Sequence, residues 1–172
     1  PGVVPRAVIV VSHGLAEHGG RYETLAVELV QRGYAVYAVD HRGHGRSSGP
    51  RANIERFAHV VADFCAFTER CAGEHPATPV FMLGHSMGGA VAFASALRLQ
   101  HMLRGLVLSA PALAMDQPVP RLQEMFVRLL SVVAPGTGAL ALPPDAVSRD
   151  PSVVARYAAD PLVHHKAIPA RT

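Results

Sequence analysis

A serine lies between two glycines where an apolar run gives way to a segment rich in glycine and alanine. Residues 84–88 read Gly-His-Ser-Met-Gly, the G-x-S-x-G pattern. The run 79–83 predicts a buried strand, and 87–99 predicts a helix. On such a sharp turn the serine hydroxyl is exposed, and the next backbone N–H points to where an oxyanion forms. The pattern therefore predicts Ser86 as an acyl-transfer nucleophile and the Met87 N–H as an oxyanion donor. An ordinary glycine-rich turn is the alternative, which the flanking elements disfavour.

The loop after the first predicted strand supplies a second candidate donor. The strand covers 7–12 and is followed directly by His13 and Gly14. Oxyanion sites of this kind take their second N–H from a loop after an earlier strand. We therefore expect the Leu15 backbone N–H to be that donor, and His13 to shape the loop by hydrogen bonding instead of acting as the base. The chemistry needs no metal ion and no cofactor, and none is expected.

Strand and helix signals alternate over the first part of the chain. This alternation is typical of an α/β fold with a parallel sheet that has helices on both faces. Strands are predicted at 7–12, 34–40, 80–83 and 106–109, and helices along the apolar stripes at 22–30, 57–67 and 87–99.

The character of the sequence changes after residue 111. From 112 to 168 prolines recur, strand signals vanish, and 122–133 forms a strongly apolar helical segment. An arginine inside that segment and a Pro-Gly pair after it argue against a transmembrane span. We predict a core at 1–111 and a helical cap over the Ser86 site at 112–168. A packed helical subdomain that covers nothing is the alternative.

Composition excludes several other classes of function. The net charge of +3 comes from dispersed arginines without a basic run, so no nucleic-acid partner is expected. The ten histidines do not form two ligand pairs, which argues against a metal site. Cys65 and Cys71 lie six residues apart on one predicted helix, where they cannot bridge. Reduced thiols indicate a reducing, cytoplasmic compartment.

Four motifs in a fixed order extend over most of the chain. They are His13-Gly14-x-x-Glu17-His18-x-x-Arg21-Tyr22, Asp40-x-Arg42-Gly43-His44-Gly45-x-Ser47, Gly84-His85-Ser86-Met87-Gly88-Gly89, and Ser148-Arg149-Asp150-Pro151 through Tyr157-x-x-Asp160-Pro161-Leu162. Together they resemble the monoacylglycerol lipase group of serine hydrolases, which have the α/β-hydrolase fold.

The resemblance implies a small lipid ester as substrate and a set of alcohol-binding residues. The residues that match those around the glycerol group in this family are Glu17, Arg21, His85 and Tyr157. A carboxylate, a guanidinium, an imidazole and a phenol offer complementary donors and acceptors for a diol. Glu17 and Arg21 are also expected to form an ion pair that shapes the oxyanion loop. The second motif is interpreted as locking a loop.

The same resemblance implies a catalytic Asp and His after the cap, and neither motif is present before Thr172. The chain is therefore expected to be the N-terminal two-thirds of a lipase that lacks its native N-terminus. The alternatives are a non-catalytic binding module and one half of a split enzyme. The last predicted strand becomes a sheet edge, which favours self-association or binding of a complementary C-terminal fragment. Peripheral membrane contact through the cap is left open.

Overall fold

The computed structural model describes residues 4–114, 125, 129–134, 136–140 and 143–172. Four parallel strands form the central sheet in the order β2-β1-β3-β4. Their bounds are β1 Val8–Ser12, β2 Ala35–Val39, β3 Val80–His85 and β4 Leu103–Ser109. The predicted α/β-hydrolase-type sheet is confirmed.

Strand β4 begins three residues earlier than the apolar pattern predicts. Arg104 and Gly105 interrupt that pattern, yet both belong to the strand. A Cβ at Gly105 would lie 2.9 Å from the Phe81 ring on β3, so the glycine leaves room for that ring. Gly105 weakens the strand pattern in the sequence, and the Phe81 ring on the neighbouring strand explains why a glycine is needed there.

Three helices connect the strands: α1 Glu23–Gln31, α2 Phe57–Gly73 and α3 Met87–Leu99. The path from β2 to β3 and on to β4 runs in one direction across the sheet, whereas the path from β1 to β2 runs in the other. Because such crossovers are right-handed, α2 and α3 cover one face and α1 lies on the opposite face. Helices therefore occur on both faces, as predicted.

The two faces of the sheet are covered unequally. Side chains from α2, α3 and the sheet pack into one core that includes Val10, Phe64, Met82 and Val91, all fully buried. Helix α1, by contrast, has no buried residue, although its apolar stripe follows the predicted spacing. Val107 on β4 is 52% exposed. The α1 face therefore retains accessible apolar surface.

The region after the core contains both helix and strand. Helix α4 spans Pro151–Ala159, and the Asp150 side chain caps it by accepting the Ser152 N–H at 2.8 Å. Strands β5 (Gly138–Leu140) and β6 (Ile168–Pro169) pair antiparallel. The expectation that strands are absent from 112–168 is wrong. Each strand is too short for local periodicity to reveal it, and only the pairing stabilises it.

The predicted apolar helix at 122–133 lies partly outside the described residues. Positions 125 and 129–133 are helical. Within the part of the chain that the structure describes, no helix is long and apolar enough to cross a membrane. Cys65 and Cys71 are buried free thiols, in agreement with the sequence prediction.

Candidate active site

The sheet topology brings together the two segments that carry the predicted oxyanion donors. They are the loop after β1 with Leu15, called the oxyanion loop below, and the turn after β3 with Ser86 and Met87, called the elbow. Strands β1 and β3 are neighbours, and the chain leaves them toward opposite faces of the sheet. This arrangement is a topological switch point, where parallel α/β sheets form a crevice at the carboxyl ends of their strands. Ser12 ends β1 and His85 ends β3, so the loops that follow lie side by side at that crevice.

Ser86 has the strained backbone of a nucleophile elbow. Its φ and ψ are 53° and −123°, a conformation that L residues rarely adopt. The turn is held by hydrogen bonds, since the Ser86 N–H donates to the Ser109 carbonyl at 3.0 Å and the Ala112 N–H donates to the Ser86 carbonyl at 2.9 Å. Met87 is the first residue of α3, so its N–H has no partner within the helix. The predicted turn is present.

The glycines around Ser86 are required by backbone contacts. A Cβ on Gly88 would overlap the carbonyl oxygens of Ser12 and His13 in the oxyanion loop. A Cβ on Gly84 would overlap the Gly88 carbonyl oxygen in the first turn of α3. A side chain at Gly88 would push the elbow away from β1, and one at Gly84 would push α3 away from β3. The two glycines therefore set how closely Ser86 approaches the loop after β1.

Glu17 is the centre of the oxyanion loop. Its Oε1 accepts the Gly14 N–H at 2.6 Å and the Tyr22 hydroxyl at 2.9 Å, and its Oε2 accepts from Arg21 at 3.1 Å. Burial, followed by the charge of Glu17, raises the pKa of Tyr22. A Cβ on Gly14 would lie 3.3 Å from Cβ of Ser86, so the bonded loop is pressed against the elbow. Leu15 follows directly in this loop.

His13 is bonded through both of its ring nitrogens. Nδ1–H donates to the Gly14 carbonyl at 2.7 Å, and Nε2 accepts the His41 N–H at 3.0 Å. These bonds define a neutral ring with its proton on Nδ1. Burial lowers the pKa of His13 from 6.5 to about 4. His13 therefore shapes the loop, as predicted, and is not a base for Ser86.

Two further buried imidazoles pack against His13. The His41 ring centroid lies 4.6 Å away and the His44 centroid 5.4 Å away. His41 Nε2 is hydrogen-bonded to the Ser12 hydroxyl at 2.8 Å, and His44 Nδ1–H donates to the Arg42 carbonyl at 3.0 Å. Burial lowers the pKa of His41 and of His44 as well. The three rings form a neutral histidine cluster behind the oxyanion loop.

We expect the free energy of unfolding to fall by about 3 kcal/mol as the pH is lowered from 6.5 to 4. The unfolded chain binds a proton at His13 in this range, whereas the folded chain excludes it. The stabilisation is complete above pH 6.5 and lost near pH 4, and His41 and His44 act in the same direction. Urea unfolding at a series of pH values measures how steeply the free energy of unfolding changes with pH. His13→Asn should reduce this pH dependence, whereas His101→Gln, at an exposed position, is the control and should leave it unchanged. The same pH dependence in both variants would contradict the assignment.

The second motif locks the loop after β2, as the sequence predicted. Asp40 accepts the Gly19 and Arg46 N–H groups, each at 2.8 Å. Burial would raise the pKa of Asp40, but these two N–H groups outweigh it and the pKa is lowered. Arg42 forms a two-point ion pair with Asp63 on α2 at 2.7 and 2.8 Å.

Three of the four predicted alcohol-binding residues form one contiguous group. Arg21 bonds Glu17, and its guanidinium lies 4.4 Å from the centroid of the Tyr157 ring on α4. Tyr157 is only 5% exposed. His85 also adjoins Gly14, since a Cβ there would lie 3.5 Å from its Cδ2, and its Nδ1 lies 3.1 Å from the Ser109 carbonyl. The predicted cap residue therefore reaches the oxyanion loop through Arg21.

Sequence reasoning missed a direct link between the loop and the segment after α4. His18 Nε2 lies 2.8 Å from Oδ2 of Asp160, which ends α4. The His164 N–H donates to the Ala16 carbonyl at 2.8 Å. The motifs contain both His18 and Asp160, but their pairing across the chain has no local signal.

The described residues supply no base for Ser86. Within the described ranges no imidazole is hydrogen-bonded to its hydroxyl, and His164 and His165 bond the backbone of their own segment. A cavity of about 720 Å³ lies away from the elbow, between the loop after β2 and helix α2. The described residues thus bring the predicted nucleophile and the predicted oxyanion donors together, without an acid–base pair among them.

Comparison with known proteins agrees with this geometry. The family model described as serine aminopeptidase, S33, matches residues 4–172. A monoacylglycerol lipase of Mycolicibacterium smegmatis is 44% identical over 170 residues, which cover 99% of this chain and 61% of the relative. The human monoglyceride lipase is 37% identical over 164 residues, covering 95% of this chain and 54% of the relative.

Solved structures show the same fold and the same partial coverage. The monoacylglycerol lipase of Paleococcus ferrophilus superposes with a TM-score of 0.80 at 33% identity, over 99% of this chain and 64% of that structure. The chain therefore spans between half and two thirds of the length of these relatives. The family model matches nearly the whole described chain, and the Ser86 elbow and the oxyanion loop agree with it. The chain therefore belongs to the S33 family of α/β-fold serine hydrolases, and it is similar to proteins named monoacylglycerol lipase.

Proposed function

We propose that this chain carries the nucleophile, the oxyanion donors and the alcohol-binding residues of a carboxylic ester hydrolase that cleaves monoglycerides to fatty acid and glycerol. The observation that supports this most is the strained Ser86 elbow, held within van der Waals distance of the Gly14 loop. Similarity to proteins named monoacylglycerol lipase supports the substrate class.

In the proposed reaction the Ser86 oxygen attacks the ester carbonyl carbon, and its proton passes to a base. The carbonyl oxygen becomes an oxyanion that the N–H groups of Leu15 and Met87 stabilise. The tetrahedral species then collapses and breaks the bond to the glyceryl oxygen, which takes the proton from the base and leaves as glycerol. Water, deprotonated by the same base, hydrolyses the acyl-enzyme to the fatty acid and restores the Ser86 hydroxyl. We propose that the base is a histidine, oriented by an aspartate, from polypeptide that follows residue 172 or from a second chain. In a Ser-His-Asp triad the histidine takes the serine proton and the aspartate orients the imidazole.

The alcohol subsite is proposed at Arg21, His85 and Tyr157, with Glu17 orienting Arg21. Because Glu17 already accepts three donors, its main part is to hold Gly14 and Arg21 in place. The Tyr157 hydroxyl and the remaining N–H groups of Arg21 can then bond the glycerol hydroxyls.

We expect Tyr157→Phe to lower kcat/KM for a monoglyceride about 10-fold and to leave turnover of a p-nitrophenyl ester nearly unchanged. The phenyl ring keeps its contact with Arg21 and loses only the hydroxyl. The assay uses this chain fused to the part of the Mycolicibacterium smegmatis relative that follows the matched region. Tyr34→Phe is the matched control, since Arg6 lies over its ring at 5.4 Å. Equal losses on both esters would refute the alcohol-binding role.

A second candidate function is a split hydrolase completed by a complementary fragment or by self-association. The observation that favours it is the exposed face at β4, which among the described residues has a sheet partner on one side only. We expect the 172-residue chain to hydrolyse esters poorly and to gain Ser86-dependent turnover when the complementary C-terminal fragment is added. Light scattering shows whether the chain associates with itself. A monodisperse monomer with full turnover would refute both expectations.

Peripheral membrane contact through the cap is also proposed. Four apolar residues of its helical part are between 59% and 76% exposed: Met125, Leu129, Val132 and Val133. Such a patch suits the surface of a bilayer that carries lipid esters. The buried free thiols of Cys65 and Cys71 support a cytoplasmic location.

A further inference from the structure

Two side chains of the proposed alcohol subsite belong to segments that are far apart along the chain. Arg21 lies in the short turn after the oxyanion loop, whereas Tyr157 lies on helix α4. The Arg21 guanidinium is 4.4 Å from the centroid of the Tyr157 ring. A cation–π contact forms anywhere within about 6 Å of a ring centroid, so it fixes the two side chains only loosely. A more directional contact is needed to keep the subsite closed.

His18 and Asp160 supply that contact next to the subsite. His18 Nε2 lies 2.8 Å from Asp160 Oδ2. Burial would raise the pKa of Asp160, but the bonds from His18 and from the Leu162 N–H outweigh it, and the pKa is lowered. The carboxylate is therefore ionised at neutral pH and can only accept, so His18 donates through Nε2. A charge-assisted bond of this kind is strong and directional.

The turn that carries Arg21 is fixed to His18. The His18 carbonyl accepts the Arg21 N–H at 3.2 Å. Gly20 packs on the imidazole, since a Cβ there would lie 3.0 Å from Nδ1 and Cε1 of the ring. The ring and the backbone of this turn therefore cannot shift independently. A partner that holds the ring also holds Arg21.

Asp160 is bonded through each of its polar groups, and two of these bonds lead to Tyr157. Its N–H donates to the Tyr157 carbonyl at 3.2 Å, and its carbonyl accepts from His165 Nε2 at 2.9 Å. The His165 ring packs edge-on against the Tyr157 ring, with the centroids 5.8 Å apart. Oδ1 accepts the Leu162 N–H at 2.9 Å, which leaves Oδ2 for His18. Asp160 thus holds Tyr157 through its helix and through His165.

We propose that His18 and Asp160 are positioning residues that hold Tyr157 over Arg21, and so select esters whose alcohol is a small polyol such as glycerol. This inference rests on the proposed function, because it assumes that Arg21 and Tyr157 bind the alcohol. Neither positioning residue touches the substrate. His18 is 7% exposed and its Nε2 is bonded to Asp160, whose own polar groups are all bonded within the protein.

The acyl-transfer groups keep their own support when this ion pair is lost. The His164 N–H donates to the Ala16 carbonyl at 2.8 Å, and this backbone bond holds the segment after α4 against the oxyanion loop. Glu17 accepts the Gly14 N–H at 2.6 Å without help from either positioning residue. Loss of the ion pair should therefore change recognition of the alcohol and leave attack by Ser86 nearly unchanged.

A matched pair of variants at His18 tests the proposal, in the fusion with the Mycolicibacterium smegmatis segment. His18→Gln retains an N–H group that can reach Asp160, whereas His18→Phe retains an aromatic ring without a donor. We expect His18→Phe to lower kcat/KM for a monoglyceride about 10-fold and to change turnover of a p-nitrophenyl ester less than about 2-fold. His18→Gln should recover most of the monoglyceride activity. Losses that are the same for both variants, or the same for both esters, would overturn the proposal.

A double-mutant cycle with Tyr157→Phe shows whether His18 acts through Tyr157. The loss caused by His18→Phe should shrink from about 10-fold to less than about 2-fold once the Tyr157 hydroxyl is absent. The same factor in both backgrounds indicates general damage to the fold and would overturn the proposal. Asp160→Ser repeats the cycle with the same expected factors, because its hydroxyl can accept the Leu162 N–H but is too short to reach His18. If urea unfolding shows that His18→Phe is not folded, Asp160→Ser decides the matter.

Tyr157→Phe alone distinguishes failure of this inference from failure of the proposed function. If it slows both esters equally, the alcohol subsite itself is wrong, and the inference falls with it. If it slows only the monoglyceride while His18→Phe and Asp160→Ser slow neither ester, the subsite stands and the inference is wrong. Selective loss in all three variants, with the coupling described above, supports both.

Discussion

Replacement of Ser86 by alanine is expected to abolish covalent labelling by a fluorophosphonate probe and to lower ester turnover by about 10⁴-fold or more. Among the residues that the structure describes, the elbow alone presents a serine hydroxyl beside the Gly14 loop and a helix N-terminus. Without the oxygen no acyl-enzyme forms, and the oxyanion donors alone retain only a small part of the acceleration.

The experiment uses the fusion with the Mycolicibacterium smegmatis segment, so that an acid–base pair is present. Ser109→Ala is the control, because Ser109 lies beside the elbow and holds it through its backbone carbonyl. Intact mass and peptide mapping locate the probe. Labelling that survives Ser86→Ala, or that maps to another serine, would refute the assignment.

Replacement of Gly88 by alanine is expected to destabilise the fold by about 4 kcal/mol or more, which is exceptional for a single methyl group. The added Cβ would overlap two backbone carbonyl oxygens, those of Ser12 and His13, and a backbone cannot rotate away as a side chain can. Any accommodation must separate α3 from β1. Residual folded protein should therefore also lose turnover, because the elbow would move away from Leu15.

Gly73→Ala is the matched control for this change. Gly73 is the last residue of α2, and a Cβ there would meet nothing within 4 Å. Alanine in a helix is favoured over glycine by about 0.5–1 kcal/mol, so this variant should be as stable as the parent or more so. Urea unfolding of both variants decides the matter. If the free energy of unfolding changes little in both variants, the overlap at Gly88 is relieved at low cost and the prediction is wrong.

Much of the catalytic geometry was predictable because its signals are local. A strand, a G-x-S-x-G turn and a helix follow one another within twenty residues, and this context, which the pentapeptide alone does not supply, indicates a nucleophile elbow. The role of His13 was predictable for the same reason, since a histidine directly after a strand and before Gly14 lies within reach of the loop backbone. The resemblance to monoacylglycerol lipases rests on these short motifs and on their order.

Other features depend on contacts between distant residues. Glu17 was expected to pair with Arg21 four residues away, but its bonds to the Gly14 N–H and the Tyr22 hydroxyl become apparent only when the loop closes. The β5–β6 pair escaped prediction because neither strand is long enough to produce a pattern, and each is stabilised only by the other.

The sequence alone determined the kind of chemistry, through Ser86 and the residues around it. The tertiary structure decided what surrounds that chemistry. It pairs His18 with Asp160 from 142 positions away and packs the rings of His41 and His44 against His13. Periodicity reports which residues share a face of one element. Which elements then meet depends on sheet order and crossover handedness, and therefore on the whole chain.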